Sequence, residues 1–447
     1  MAWLWGFTVD DALISTRVAH QLATGHGYRF NPSGPIVDAV TPLGWAPLLV
    51  PFAASGPWAA LLAARWLGAG AWFLTAAYLG LRFAALGTRA VVVGVLALLA
   101  TVPLAAWAVA GMETGLVTAL ATLSLARGFL ARLSLGLCAA LRPELLPWAL
   151  TVTLGDALVG SESTAKRLRS AVSALALALG PFVVVALLRD LLFGAAYPLS
   201  LLAKPSDLSS GLRYALGGLL LSGPFWLLAA GPAFGRLSGR GRVQAVAALV
   251  HVFALALAGG DWMSLYRLFV PVLPSVILVG AELAQRSSRF ASGVRLALAL
   301  GASAVLAISL GPSARGVLAQ RRELIEGAGP LLAGARRVAA LDVGWVGAAT
   351  AATIVDLAGV TDPTVARLAG GHTSKRLPDS FLEAREVDAV VLLAEAPTFA
   401  PLSEQRFPRI VERRVPTLAS AELFRVVGIL PLRGTRQHYL VARRDPR

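Results

Sequence analysis

A chain of 447 residues, 56% hydrophobic and 15% charged, with a mean hydropathy of +0.69, carries more apolar surface than one soluble core buries. That excludes an ordinary soluble enzyme and makes the bilayer the solvent for much of the chain. The formal charge of +15 does not indicate nucleic acid, because the basic residues before about Leu310 fall in short gaps between apolar runs rather than in one patch. A single cysteine, Cys138, rules out an intrachain disulfide, and there is no zinc-type cluster, phosphate loop or dinucleotide fingerprint.

Met1 to Val9 is too short to span a membrane and lacks the basic leader of a signal peptide, so a further helix is expected upstream of Met1. The stretch VDDALISTRVAHQLATGHGYRFNP, residues 9–32, predicts a helix capped by Asp10 or Asp11 and running to about Ala23, with Gly25 and Gly27 ending it. Asp10 and Arg17 share a face, while Ile14, Val18 and Leu22 form an apolar stripe suited to lying along the membrane surface.

Apolar segments follow near 58–82 and 90–107, and the stretch 114–158 reads as one span plus re-entrant pieces or as three short packed spans, the latter favoured by Arg127 and Arg132 at an inner turn. In LRPELLPW, Arg142 and Glu144 flank Pro143, where a mutual ion pair lets a broken helix turn. Lys166, Arg167 and Arg169, then Arg236, Arg240 and Arg242, then Arg286, Arg289 and Arg295 mark cytoplasmic gaps. Between them, 170–189 with 211–230 and 243–258 with 267–284 form out-and-back pairs; His251, alone in mid-helix, reads as a packed core residue. A last segment, 293–311, carries the chain outward again. About ten crossings result, or eleven with the upstream helix.

The expected fold is therefore an α-helical polytopic membrane domain, residues 1–314, followed by an extracytoplasmic α/β soluble domain, residues 315–447. In the latter, RRVAALDVGWVG and TIVDLAG read as strand and turn units, VDAVVLL as a buried strand, and FRVVGIL with QHYLVARR as a terminal pair. Asp342, Trp345, Asp356 and His372 offer glycan-binding groups, although Trp345 serves equally well as core.

With this topology the unusual polar residues of the membrane part gather on its external side. They are Asp10, Asp11, Arg17, His26 and Asn31; Glu113; Arg142 and Glu144; Arg189, Asp190, Tyr197 and Lys204; and Asp261 with Arg267. Ionisable groups there are costly unless paired or used, so the pattern predicts a site at the external membrane face. Lys204 and Arg267 taken singly read as snorkelling interface cations, and Glu113 as a helix-start acid. Together they suit a lipid-phosphate substrate.

The strings DDALISTRVAHQLATGHGYRFNP, GMETG, LRPELLPW, YPLSLLAK, GGDWMSLYRLFVPVLP and VAALDVGWVGAATAATIVDLAGVTDP stand in one order along the chain. In that order they resemble the mycobacterial terminal arabinofuranosyltransferase family, a group of GT-C glycosyltransferases, over nearly the whole length. Val18 and Leu145 depart from the Tyr and Gly usual there, and SGPIVDAVTPLGW replaces a Glu-rich stretch.

The resemblance implies an inverting membrane enzyme. It takes a sugar, arabinofuranose or a related pentose, from polyprenyl phosphate to a cell-envelope glycan at the outer face of the plasma membrane. It implies a first-loop acid as catalytic base, here Asp10 backed by Asp11, and a soluble domain that binds or gates the acceptor. Arg142, Lys204 and Arg267 are then the cations for the departing phosphate. Arg17, His26, Asn31, Glu113, Glu144 and Asp261 are the groups for sugar and acceptor. No cofactor is required; the carboxylates offer oxygen ligands to a divalent cation, but no spacing demands one. Two other readings stand beside it. A transporter or lipid-linked-sugar flippase would place ionisable residues near the midplane within repeated hydropathy patterns, and a non-catalytic envelope scaffold would leave the work to the soluble domain.

Overall fold

The computed structural model describes residues 1–159, 164–229 and 234–445; the side chains of Lys166 and Arg167, read as topology signals, lie outside the described residues. Most of the described chain is helix. Pro57–Leu86, Arg169–Phe193, Gly239–Leu257 and the helical run Arg289–Leu332 are long and apolar enough to cross a membrane. Thr88–Ala100 and Val102–Val109, bent by 54°, make a fifth if the pair is one span. The bend follows from Pro103, which has no N–H for the carbonyl one turn back.

The other apolar segments form shorter helices. Thr114–Leu123, Phe129–Leu141 and Leu146–Val159 occupy the stretch read as three spans, and Leu208–Leu221 and Leu273–Arg286 replace the longer segments expected there. At 1.5 Å per residue the 14 residues of Leu273–Arg286 reach about 21 Å, short of a hydrocarbon core of about 30 Å. Length is lost to 3₁₀ turns at Pro224–Leu228 and Arg267–Phe269.

The chain forms two compact units. The first comprises Met1–Phe7, Ala64–Leu188 and Ser206–Arg315; the second comprises Thr8–Ala63, Arg189–Pro205 and Gly316–Arg447. The first is a helical bundle whose members meet at small residues. A Cβ on Gly211 would lie 2.0 Å from the Ala256 carbonyl oxygen, and one on Gly68 would lie 2.2 Å from that of Ala108. Such backbone approach is how helices associate when lipid and side chains are equally apolar.

The second unit holds a five-stranded sheet, β1 (Arg337–Ala340), β2 (Thr353–Asp356), β3 (Ala389–Glu395), β4 (Phe424–Pro431) and β5 (Gln437–Arg444), in the order β2-β1-β3-β5-β4. β1 runs parallel to β2 and β3, whereas β5 is antiparallel to β3 and β4, so the segments read as strands from the sequence are the strands of the sheet. β3 is a nearly continuous apolar run because it is covered on both faces; the edge strand β4 alternates. The short Val343–Ala349 helix follows β1 and packs against Val317–Leu332 and against Asp10–Ala23.

Candidate functional site

In the first unit a charged cluster forms around the break in LRPELLPW. Arg142 precedes Pro143, whose ring disfavours helical backbone in the residue before it, and Arg142 is extended (φ −138°, ψ 91°) between Phe129–Leu141 and the Pro143–Leu145 turn. Its Nε donates to Glu144 Oε1 at 2.7 Å, the pair expected from the sequence, and its Nη1 donates to Glu113 Oε1, also at 2.7 Å. Glu113 stands at the start of Thr114–Leu123 but makes no side-chain cap. Arg142 is 4% exposed and Glu113 0%, yet among the described residues Arg142 Nη2 and Glu113 Oε2 have no hydrogen-bond partner.

The second half of this cluster lies on Gly259–Phe269. Gly259, Gly260, Leu265 and Tyr266 all have positive φ, and for Leu265 (60°) and Tyr266 (49°) that conformation is strained. The winding aims Arg267 back at Asp261, 2.9 Å away, with its guanidinium 5.6 Å from the centroid of the Trp107 ring. Trp107 Nε1 donates to the Leu265 carbonyl at 3.0 Å, the Leu268 N–H donates to Tyr214 Oη at 3.0 Å, and the His251 ring is bonded to the Leu268 carbonyl at 2.8 Å. His251 is thus a buried structural residue, as read from the sequence. Asp261 also acts electrostatically on Arg142. Three carboxylates and two guanidiniums, from segments more than a hundred positions apart, therefore form one constellation.

In the second unit Asp10–Ala23 forms over the expected residues and ends before Gly25 (φ 80°) and Gly27 (φ 84°). Capping was misread: Val9 is the cap residue, and neither aspartate caps the helix. Asp10 instead accepts from the N–H groups of Gly344 (2.8 Å) and Trp345 (2.9 Å), at the start of Val343–Ala349, where helix N–H groups lack intrahelical partners. Gly344 permits this, because a Cβ there would lie 2.2 Å from the Asp10 carbonyl oxygen.

Burial, and next the charge of Asp342, push the Asp10 carboxyl up to about 7. Burial also raises Asp342, but Arg409 and Arg321 outweigh it and hold that group below its ordinary value. Asp342 is bound by Arg409 at 2.7 Å and accepts from the Tyr439 hydroxyl at 2.5 Å. Asp11 is half-buried.

The other residues of this unit serve mainly to hold it. Arg17 donates to the carbonyls of Phe30 (2.9 Å), Ala352 (3.3 Å) and Gly347, tying its helix to the segment before β2. Asn31 exchanges two 2.9 Å hydrogen bonds with the backbone of Ile354, as a neighbouring strand would. His26 is exposed beside Thr24, and Lys204 is half-buried after Leu199–Ala203. Arg189 pairs with Asp38 at 2.8 Å, both buried, and burial moves the Asp38 carboxyl to about 6 against the pull of Arg189.

Trp345 is fully buried against Tyr439, so of its two readings the structure has the packed one. Asp356 accepts from the Ala358 and Thr361 N–H groups at 2.7 Å each. His372 is half-buried. Among the described residues no group of three or more His, Cys, Asp or Glu side chains is arranged to hold a metal ion.

Sequence reasoning does not single out Asp38, Arg321, Arg409, Tyr439 or Tyr214. Asp38 alone left a signal, as an acid isolated in the apolar run PIVDAVTP. The predicted site residues divide between the units: Glu113, Arg142, Glu144, Asp261 and Arg267 belong to the first, and Asp10, Asp11, Arg17, His26, Asn31 and Lys204 to the second.

Residues 328–441 match a family described as a domain of unknown function (DUF8728). The match covers β1 to β4 and most of β5. No protein of curated function and no solved structure matches the chain.

Proposed function

We propose that the chain is an inverting, GT-C-type glycosyltransferase. It moves a sugar, arabinofuranose or a related pentose, from polyprenyl phosphate to a cell-envelope glycan at the outer face of the plasma membrane. The observation that carries this reading is the largely buried Glu113–Arg142–Glu144 and Asp261–Arg267 constellation among apolar helices, with Arg142 Nη2 and Glu113 Oε2 unpartnered among the described residues. Leaving such groups unsatisfied costs about 1–3 kcal/mol each, more when they are charged. A phosphate oxygen and a sugar hydroxyl would satisfy them. The order of family-like motifs along the sequence supports the same reading, with about ten crossings in which the shorter apolar helices count as packed spans.

The acceptor hydroxyl oxygen attacks the anomeric carbon, the bond from that carbon to the phosphate oxygen breaks, and its electron pair leaves with the polyprenyl phosphate. Arg142 and Arg267 stabilise the growing phosphate charge. Glu113, Glu144 and Asp261 hold sugar hydroxyls and orient the guanidiniums. Both Asp10 oxygens accept from backbone N–H groups; of the first-loop pair, Asp11 is assigned the base role and accepts the proton of the acceptor hydroxyl. Arg17 and Asn31 position the first loop, and His26 is left for acceptor contact.

The test is transfer by the purified full chain from a synthetic polyprenyl-phosphate arabinofuranose to a short arabinofuranoside, followed by product mass and anomeric configuration. Asp11→Asn should lower kcat about 10²–10⁴-fold with KM little changed. An unchanged rate would remove Asp11 as base. A wild-type chain that neither transfers the sugar nor retains the donor would overturn the function.

A further inference from the structure

The first unit has a second polar feature, at the opposite end of its short helices. A cavity of about 400 Å³ opens between the Leu123–Phe129 turn, the end of Leu146–Val159 and the start of Gly239–Leu257. Arg127, Arg132, Arg240, Asp156, Ser124 and Ser170 supply its polar lining. Its lining reaches Leu135 on Phe129–Leu141, and Arg142 follows seven residues further along, about 10 Å of helix away. It is therefore a separate place from the Glu113–Arg142 constellation.

The charges lining the cavity do not balance. Arg240 is spent: it grips both Asp156 oxygens, at 3.2 and 2.8 Å, and its Nη2 also donates to the Ala126 carbonyl at 3.0 Å. That fork neutralises the only carboxylate lining the cavity among the described residues. Among the described residues Arg132 donates to a hydroxyl, Ser170 Oγ, at 3.1 Å and has no carboxylate partner, and Arg127, at the exposed turn, has none either. Two guanidiniums are thus left facing one cavity beside two hydroxyls, a donor set suited to the oxygens of a phosphate ester.

Next in sequence to lining residues, Phe129, Leu130 and Leu158 are 61%, 65% and 77% exposed. Arginines at a cavity bordered by exposed apolar helix ends match a molecule with an anionic head and hydrocarbon tails. A soluble anion would have no use for those apolar neighbours.

We propose that this cavity binds the phosphodiester headgroup of an anionic phospholipid, with Arg127 and Arg132 as its ligands and Phe129, Leu130 and Leu158 against the acyl chains. The purified full chain is titrated with phosphatidylglycerol and with phosphatidylcholine of the same acyl chains, and bound lipid is counted by native mass spectrometry. Phosphatidylglycerol should bind at least tenfold more tightly. Arg127→Ala/Arg132→Ala should erase that preference, and so should Arg127→Glu, which changes an exposed turn residue and leaves packing alone. Arg289→Ala, an exposed arginine at another helix start, should keep it. Equal binding of the two lipids, or a preference that survives both cavity variants, overturns the proposal. So does 10 mM inorganic phosphate abolishing the preference, because the cavity would then take a free anion rather than a lipid.

Discussion

Gly344→Ala isolates the contact that docks the Asp10–Ala23 helix on the start of Val343–Ala349. The new Cβ would lie 2.2 Å from the Asp10 carbonyl oxygen and 2.9 Å from Asp10 Cγ. Non-bonded heavy atoms settle at about 3.5–4.0 Å, so the two helices must separate by about 1 Å. That stretches the 2.8 and 2.9 Å bonds from the Gly344 and Trp345 N–H groups to Asp10 beyond useful length. At pH 8, where the Asp10 carboxyl is ionised, hydrogen bonds to a charged group contribute about 1.5–3 kcal/mol each, so the loss is about 3–6 kcal/mol, reduced by at most about 1 kcal/mol of gained helix propensity.

At about 2–4 °C per kcal/mol, the Tm of the purified chain should fall by about 10 °C, read from tryptophan fluorescence on heating in detergent. Gly301→Ala is the control: nothing lies within 4 Å of its Cβ position, and the shift should stay within about 2 °C. Asp10→Asn takes away one of the two acceptor oxygens of the same contact, so the double variant should lose less than the two single losses combined. A Gly344→Ala chain that melts within 2 °C of wild type, or strictly additive losses, would refute the docking argument.

Arg142→Met leaves Glu113 buried without its cation, which should lower stability by about 3–5 kcal/mol; adding Glu113→Gln should restore part of it, and a fall below about 1 kcal/mol would mean the pair is not buried as described. Asp10 and Asp38 have carboxyls raised to about 7 and about 6 from 3.8. The folded chain then holds protons the unfolded chain has released, so their contribution is greatest below about pH 4 and falls as pH rises to about 7. Tm at pH 5 should therefore exceed Tm at pH 8 at constant ionic strength, and Asp10→Asn should narrow the gap. Arg17→Lys replaces a fork that reaches several carbonyls with a single ammonium, so the amides of residues 347–354 should exchange hydrogen faster, with little change in the first unit.

Local order was written locally. The Asp10–Ala23 helix, its glycine stop, the five strands, the buried His251 and the Arg142–Glu144 pair all follow from residues within a few positions of one another, through periodicity, turn chemistry and a proline. Hydropathy likewise determines that long apolar helices are present. It did not determine their lengths, because strained turns such as Gly259–Phe269 and broken helices such as Thr88–Val109 depend on what packs around them.

The partners of the charged groups belong to the tertiary structure alone. Asp10 binds backbone N–H groups 334 and 335 positions away, Arg142 reaches Glu113 across 29, and Arg189 meets Asp38 across 151. A backbone N–H leaves no mark in a sequence, and a carboxylate does not record which cation it meets. Two adjacent aspartates are indistinguishable as letters. Only the fold gives Asp10 to a helix start and leaves Asp11 half-buried, because successive helix positions point about 100° apart and one face of this helix is occupied.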